Sequence, residues 1–359
     1  MGLCVPARRA GDGAAARAGT CAAARVPRSR GRLDLISAAM SLAAVLAAIY
    51  GLKQIAAYGL EWLPVFCILV GLAIGAAFVR RQRTLTNPLI DLRLFRAPAF
   101  SASLAAFLLS IFVIGGIFFF IAQYLQLVLG LSPLWAGLWT LPSAGGLIAG
   151  SLLAPLVARR VRPAFVMAAG LVLSAVGFGM LTQVDAGSGL AVLVAGSVIF
   201  SLGVAPVGTL ATDIIVGSAP PEKDGAASGI SETSAEFGGA LGIAILGSIG
   251  TAVYRSEVAG AFPDGVPPDA AEAARDTLGG AVSVAGRLPD PLTADLLDAA
   301  RGAFTQGLQL TAITSAAIVV GMAVLALLLL RHAGLNSDAE GPAGTAPDRS
   351  SPGPTADKL

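Results

Sequence analysis

The chain has 359 residues, of which 55% are hydrophobic and only 13% are charged. So few charged side chains cannot cover a water-soluble globule of this size, which excludes an ordinary soluble protein. The net charge of +2 is spread along the chain and offers no patch for nucleic acid, and the absence of a nucleotide-binding loop or a clustered His, Cys or Ser group argues against an enzyme.

Eight apolar runs are long enough to cross a bilayer as helices. A hydrocarbon core of about 30 Å requires about 20 helical residues, because backbone groups in lipid must be hydrogen-bonded within their own helix. The runs are Leu35–Leu52, Trp62–Val79, Phe100–Leu129, Pro133–Val157, Pro163–Leu181, Leu190–Val216, Phe237–Tyr254 and Leu308–Leu330. We therefore predict an all-α integral membrane protein with about eight transmembrane helices.

The basic residues predict the orientation of these helices. Of the 24 lysines and arginines, all but five lie in the N-terminal tract, the C-terminal tail or the even-numbered connectors. Because basic connectors are retained in the cytoplasm, both termini are expected to be cytoplasmic in a multi-pass protein of the cell membrane. Anionic lipid at the inner surface is then the expected partner of the basic residues. The five exceptions are Lys53, Arg255, Arg275, Arg287 and Arg301.

Both ends of the chain differ in composition from the apolar runs. Residues 1–32 form a tract of Ala, Arg and Gly without a signal-peptide core, and 332–359 are rich in Pro, Gly, Ser and Asp. We predict disorder in both. The N-terminal tract is also compatible with a cationic arm on anionic lipid, or with a sequence that replaced the natural start of the domain.

Cysteine and histidine usage predicts neither a disulfide framework nor a metal or cofactor site. Cys67 lies inside an apolar run, Cys4 and Cys21 lie in the N-terminal tract, and the single His332 follows the last run without a ligand partner nearby.

Residues 255–307 form the longest predicted extracytoplasmic loop. They contain two weakly amphipathic stretches, Asp269–Leu288 and Pro291–Phe304, the second with Leu296 and Ala300 at helical spacing. Both stretches are expected to be short helices. They would lie on the outer surface as a cap or act as a lid that gates a substrate.

Two glutamates precede the seventh apolar run and are the main candidates for chemistry. Glu232 and Glu236 are four residues apart and share a helix face, which continues through the small residues Ala240, Gly247 and Gly250. Such residues would leave open space above the carboxylates. Because ionisable groups in membrane helices are costly, this face is predicted to line a cavity in which a carboxylate exchanges a proton.

A structural role for the same glutamates is also compatible with the sequence. The segment Thr233–Glu236 has the form of a capping box, in which Glu236 would serve only the backbone N–H groups at a helix start. The residue pattern leaves both alternatives open.

Three further polar residues lie near the ends of the predicted helices. Asp213, close to the end of the sixth run, is expected to be an interfacial acid. Gln123 and Gln126, near the outer end of the third run, are compatible with cavity lining and with simple residence at the membrane interface.

The glycine spacing predicts close helix packing. Gly238 and Gly242 form one GxxxG pair, and Gly146 and Gly150 form another. Small residues let helices approach each other in lipid, where no hydrophobic force drives them together.

Four segments together resemble a known family. They are QYLQLVLGLSPLWAGL at Gln123–Leu138, PPEKDGAASG at Pro220–Gly229, SAEFGGALG at Ser234–Gly242 and PLIDLRLF at Pro88–Phe95. In combination they resemble the C-terminal region of major facilitator superfamily transporters, and most closely the fourteen-helix drug:proton antiporters of the QacA/EmrB type. The resemblance covers about 31–331.

The resemblance implies an architecture and roles for particular residues. Residues 33–82 would be the extra central helix pair of that family, and 83–331 its C-terminal six-helix bundle. Glu232 and Glu236 fall on the helix where the family often carries acids that bind protons or cationic drugs.

A basic segment stands where the family has a copy of its cytoplasmic loop motif, G-x-L-a-D-R-x-G-R. The segment is APLVARRVR at Ala154–Arg162, and it keeps Arg159 and Arg162. It has Ala158 in place of the aspartate and lacks both glycines, which argues against a gating role.

The N-terminal six-helix bundle of that family has no counterpart among the apolar runs. Because such transporters bind substrate between two bundles, the chain alone is not expected to transport; truncation or a second chain would account for the missing half. The expected function is proton-coupled efflux of drugs or other small amphipathic organic compounds across the lipid bilayer. The alternative is a non-transporting membrane protein, either an assembly or regulatory subunit or an inert remnant.

Overall fold

The fold was analysed in a computed structural model that describes residues 34–58, 61–85, 94–186, 189–219, 224–259, 267–287 and 289–330. The regular structure in these ranges is entirely helical. The α-helices are α1 Leu35–Tyr58, α2 Trp62–Thr84, α3 Pro98–Gln123, α4 Pro133–Ala158, α5 Pro163–Leu181, α6 Leu190–Gly217, α7 Asp224–Val258, α8 Pro268–Asp276, α9 Leu278–Ala285 and α10 Asp290–Leu330. The predicted disorder of 1–32 and 332–359 concerns residues outside the described ranges.

Eight of these helices are long and apolar enough to span a bilayer, which confirms the predicted fold class. The chain is thus a multi-pass membrane protein. Three of these spans begin with a proline in the first turn, at Pro98, Pro133 and Pro163. Proline is tolerated there because the first N–H groups of a helix have no partner within the helix. The third span continues through a π-helical turn, Tyr124–Val128, and the chain then reverses at Gly130, whose φ of 67° favours glycine.

Two helices are longer than the apolar runs predicted. Helix α7 begins at Asp224 and not at Phe237, and α10 begins at Asp290 and not at Leu308. The predicted loop 255–307 was therefore wrong in extent, because both of its ends are helical. Polar residues ended the predicted runs, but a helix that has already formed continues through polar residues with good helix propensity.

The two amphipathic stretches of this segment have different outcomes. The first forms α8 and α9, which are separated at Thr277; the Thr277 hydroxyl caps α9 by accepting from Gly280 N at 3.0 Å. The second is the first part of α10 and not a separate surface helix. Leu296 and Ala300 are fully buried, as their spacing predicts for an apolar face.

The bundle consists of α3 to α7 with α10, and the α1–α2 hairpin packs against α7. Helix α3 packs mainly on α7, whereas α6 packs on α4 and α5. Both GxxxG predictions are confirmed. A side chain at Gly238 would begin 2.6 Å from the carbonyl oxygen of Leu108 on α3, and one at Gly146 would begin 2.8 Å from that of Val198 on α6.

Candidate functional site

Helices α3 and α7 run in the same direction and in constant register. The position of a side chain at Gly238 meets the Leu108 carbonyl, that at Gly242 meets the Phe112 carbonyl, and that at Gly250 meets the Phe120 ring. Each step along α7 is therefore matched by an equal step in the same direction along α3. This register decides the depth of every residue of α7 relative to the membrane span of α3.

The register places the glutamates within that span. Glu236 lies level with Ala106 and Glu232 with Ala102, both on the membrane-spanning part of α3 that begins at Pro98. At about 1.5 Å per residue, Glu236 is about 12 Å inside the end of α3. Both carboxylates are nevertheless exposed on the surface of the described chain.

The capping alternative for Glu236 is wrong. Helix α7 begins at Asp224, so the segment Thr233–Glu236 lies in the helix interior, where the backbone N–H groups are already bonded to the preceding turn. The glutamates therefore have no capping role that would explain them. A membrane-level acid without a structural role is a functional candidate.

The expected open space above the glutamates was also wrong. Ala240 is buried, the place of a side chain at Gly247 is 3.8 Å from Phe119 Cε1, and that at Gly250 is filled by the Phe120 ring. The face of α7 that carries the glutamates is thus exposed in its first half and closed in its second half. Glycine at 247 and 250 leaves space beside α7, and side chains of α3 occupy that space.

An aromatic residue of α3 that the sequence did not single out lies beside the closed half of this face. Phe119 is 40% exposed, although its neighbour Phe120 is 2% exposed. It contacts Gly247, which shares a helix face with Glu236 because eleven residues are close to three turns. The apolar run of α3 contains a succession of phenylalanines, so the sequence alone had no signal to distinguish this one.

The structure does not bring Gln123 and Gln126 to the glutamates. The register places Gln123 level with Val253, about 26 Å along the axis from Glu236. Each amide is bonded to its own helix: Gln123 Nε2 donates to Phe119 O at 3.4 Å and Gln126 Nε2 to Ala122 O at 3.3 Å. They are polar groups at the opposite end of the bundle.

The two arginines of the predicted loop motif flank the short turn between α4 and α5. Arg159 follows the last residue of α4, and Arg162 precedes the first residue of α5. Arg159 lines a cleft of about 370 Å³ together with Asp213 of α6. The cleft is thus lined by the basic side chain of Arg159 and the acidic side chain of Asp213, which are far apart in sequence. Both side chains are exposed.

A polar cluster that the sequence analysis did not find joins the ends of α1 and α2. Arg81 Nη2 lies 3.0 Å from Asp34 Oδ2, and Arg81 Nε lies 3.2 Å from Ser37 Oγ. Ser37 Oγ also accepts from Gln82 Nε2 at 2.8 Å and donates to Asp34 at 2.7 Å. The Ser37 hydroxyl and the Arg81 guanidinium hold the pKa of the Asp34 carboxyl below its usual value.

At the end of the bundle opposite to Glu236, four side-chain hydrogen bonds join neighbouring segments of the chain. The Tyr124 hydroxyl donates to Asp185 O, the Tyr254 hydroxyl to Ala274 O at 2.7 Å, Gln309 Nε2 to Val184 O at 2.8 Å and Arg301 Nε to Leu127 O at 3.4 Å. The bond from Tyr254 holds α8 against α7, and α9 packs on α10. A cap on the bundle is the arrangement observed for this part of the chain.

These features define an α-helical membrane protein with a six-helix bundle, an additional hairpin and membrane-level acids on one exposed face. The chain belongs to the Major Facilitator Superfamily, whose sequence profile matches residues 13–243. The family expected from the sequence motifs is confirmed. The assignment to the fourteen-helix group stays a prediction.

Two similar proteins are named for efflux or export. The chain is 41% identical over 311 residues to the multidrug efflux pump LfrA of Mycolicibacterium smegmatis, a match that covers 86% of this chain and 61% of LfrA. It is 31% identical over 314 residues to the tetracenomycin C resistance and export protein of Streptomyces glaucescens, covering 85% of this chain and 58% of that protein. The chain therefore spans about three fifths of the length of these relatives.

The fold also resembles a solved transporter structure. A bacterial homolog to the human lysosomal transporter Spinster, in an inward-facing and occupied conformation, superposes with a TM-score of 0.50 at 17% identity. The superposition covers 82% of this chain and 66% of the other. This is a likeness of fold.

Proposed function

We propose that this chain forms the C-terminal part of a proton-coupled efflux transporter for small amphipathic organic compounds in the cell membrane. The observation that carries the proposal is the position of Glu236, exposed at membrane depth on α7 without a capping role. A carboxylate in this position can bind a proton, which removes its negative charge, or a cationic substrate, which compensates that charge within the membrane. Export by the named relatives supports the same activity.

The exposed face of α7 supports the view that the site is completed by other residues. Transporters of this kind bind substrate between two bundles, and a face that carries Glu232 and Glu236 offers two acids to a cationic amphipathic compound. The residues of the relatives that lie outside the match would supply the opposite bundle. Both termini of this chain would be cytoplasmic, as the distribution of basic residues predicts.

The test is efflux by a fusion of this chain to the part of LfrA that the match does not cover, expressed in cells that lack their own pumps. The readout is accumulation of a fluorescent lipophilic cation, with and without a protonophore. We expect the fusion to lower accumulation only while the proton gradient is present. The 359-residue chain expressed alone should give no efflux above an empty vector.

Substitutions within the fusion distinguish the roles of the glutamates. Glu236→Gln should reduce efflux at least tenfold at unchanged expression, because an amide has the shape of the carboxylate but cannot titrate. Glu232→Gln should reduce it less, since Glu232 lies one turn nearer the end of the bundle. Glu257→Gln, at the other end of α7, is the matched control and should transport normally.

Three results would contradict the proposal. Normal efflux by the Glu236→Gln fusion would show that Glu236 is not the proton-binding residue. Efflux by the short chain alone would show that the site needs no second bundle. A well-expressed fusion without any efflux would favour the non-transporting alternative.

A further inference from the structure

The α1–α2 hairpin contains an open groove that the proposed transport function does not use. The groove has a volume of about 740 Å³, which is within the range of small-molecule sites, about 300–1,000 Å³. Its lining is wholly apolar and comes from both helices. The lining residues are Leu35, Ile36, Ala39, Met40, Ala43, Ala73, Ile74 and Ala77.

The packing of the hairpin explains why a groove exists at this place. The helices touch closely along another line, where a side chain at Gly51 would begin 2.6 Å from Pro64 O and one at Gly71 2.9 Å from Ala44 O. Phe78 is buried in the hairpin. Half of the groove residues are alanines, so little side-chain volume fills the space beside this contact.

One end of the groove is cationic. Arg80 shares the groove face of α2, since it follows Ala73 by seven residues and Ala77 by three. Its side chain is exposed and forms no ion pair within the described residues. Arg81, next to it, is held by Asp34, the residue immediately before the first groove residue. Among the described residues, Arg80 thus presents an unpaired guanidinium at the mouth of the groove.

The length of the groove corresponds to one leaflet. The groove residues of α1 run from Leu35 to Ala43, about 12 Å along the helix axis. Half of a hydrocarbon core of about 30 Å is about 15 Å. An acyl chain that enters at the level of Arg80 would therefore lie in the groove for most of the depth of its own leaflet.

We infer that the groove binds an anionic phospholipid, with one acyl chain along the alanines and the phosphate on Arg80. The guanidinium fork pairs well with phosphate oxygens, and the apolar lining offers a chain no polar group to desolvate. A transmembrane helix of a partner would gain less at this place, because lipid tails are as apolar as its side chains and it brings no phosphate for Arg80. The site is separate from the Glu236 face and does not depend on transport.

The inference can be tested on the 359-residue chain by native mass spectrometry. The purified and delipidated protein is titrated with phosphatidylglycerol or phosphatidylcholine of identical acyl chains, and the lipids retained per protein are counted. We expect phosphatidylglycerol to bind about fivefold more tightly, the equivalent of about 1 kcal/mol for one basic residue near an anionic headgroup. Arg80→Gln should remove this preference, and Ala77→Phe should lower the binding of both lipids.

Matched controls distinguish the groove from a general effect of charge or size. Ala76→Phe adds the same ring at an exposed position of α2 that does not line the groove, and Arg160→Gln removes an exposed arginine from the turn between α4 and α5, away from the hairpin. Both should bind as the wild type does. Melting temperatures in detergent should agree among all four variants, which verifies that the hairpin is intact.

Two outcomes would overturn the inference. Equal binding of phosphatidylglycerol to Ala77→Phe and Ala76→Phe would show that lipid does not occupy the groove. A cysteine at position 77 that cross-links efficiently to protein in membranes, combined with no preference between the two lipids, would assign the groove to a protein neighbour.

Discussion

The ring of Phe120 occupies the place where a side chain at Gly250 would begin, with Phe120 Cε1 2.7 Å from that point. Three helices meet here, because a side chain at Gly307 of α10 would in turn begin 2.8 Å from the Gly250 carbonyl oxygen. Phe120 cannot move away freely, since it packs against Phe304 with ring centroids 5.5 Å apart. This junction closes the second half of the Glu236 face.

Gly250→Ala is therefore expected to destabilise the bundle. A methyl group would force the Phe120 ring and both neighbouring helices apart, at a cost of about 1–3 kcal/mol for overpacking. The melting temperature in detergent should fall clearly. Gly229→Ala on the same helix meets no atom within 4 Å and is the control, which should leave the melting temperature unchanged or raise it. Equal melting temperatures for both variants would contradict the close packing at Gly250.

The ion pair of the hairpin predicts a charge-reversal result. Arg81→Asp places two carboxylates where Arg81 and Asp34 now lie 3.0 Å apart, so the ends of α1 and α2 should separate. The double variant Asp34→Arg with Arg81→Asp should restore the spacing. Distances between spin labels at Ile36 and Ala77 measure this directly. A double variant as separated as the single one would show that the two charges do not hold the helices together.

The same pair predicts how the hairpin responds to pH. The pKa of Asp34 is held below its usual value, chiefly by the Ser37 hydroxyl, so the carboxylate is stabilised in the folded hairpin. A depressed pKa contributes stability above the unfolded value of about 3.9, and this contribution is lost as the pH falls through the folded value. The spin-label distance should therefore be constant from pH 8 to pH 5 and should increase only in stronger acid. An increase near pH 6 would contradict this assignment.

The hydroxyl of Tyr254 is expected to hold α8 against the bundle. It donates to the buried carbonyl of Ala274 at 2.7 Å, and Tyr254→Phe would leave that carbonyl unpaired. Amide hydrogen exchange across 268–276 should become faster, while α3 should exchange as before. Tyr50→Phe, which removes only an exposed hydroxyl hydrogen-bonded to Gln54, is the control. Unchanged exchange in α8 would show that other contacts suffice to hold it.

The orientation proposed from the basic residues predicts which positions an impermeant thiol reagent reaches in intact cells. The three native cysteines are first replaced, and single cysteines are introduced at the exposed positions Glu272 and Arg160. The cysteine at 272 should react from outside, and the one at 160 should react only after the cells are opened. The reverse pattern would overturn the cytoplasmic placement of both termini.

Several features of this protein follow from sequence alone, because they depend on short-range physics. Apolar runs of sufficient length must form helices in lipid, so the eight spans and their start at prolines such as Pro133 and Pro163 were predictable. The GxxxG pairs predicted close packing for the same reason, although not which helix would be the partner. The motifs around Gln123 and Gly238 were sufficient to indicate the family.

Only the tertiary structure determined which residues of different helices are neighbours. The sequence left Glu236 as either a helix cap or a cavity acid. The structure excludes the cap, because α7 begins at Asp224, well before its apolar run. The depth of Glu236 follows from the alignment of α7 with α3, which close approaches such as that of Gly238 to Leu108 establish. The junction at Gly250, the cleft shared by Arg159 and Asp213 and the pairing of Asp34 with Arg81 join residues far apart in sequence. Residue spacing reports periodicity along one helix, whereas these relationships depend on the register and rotation of one helix against another, which packing alone determines.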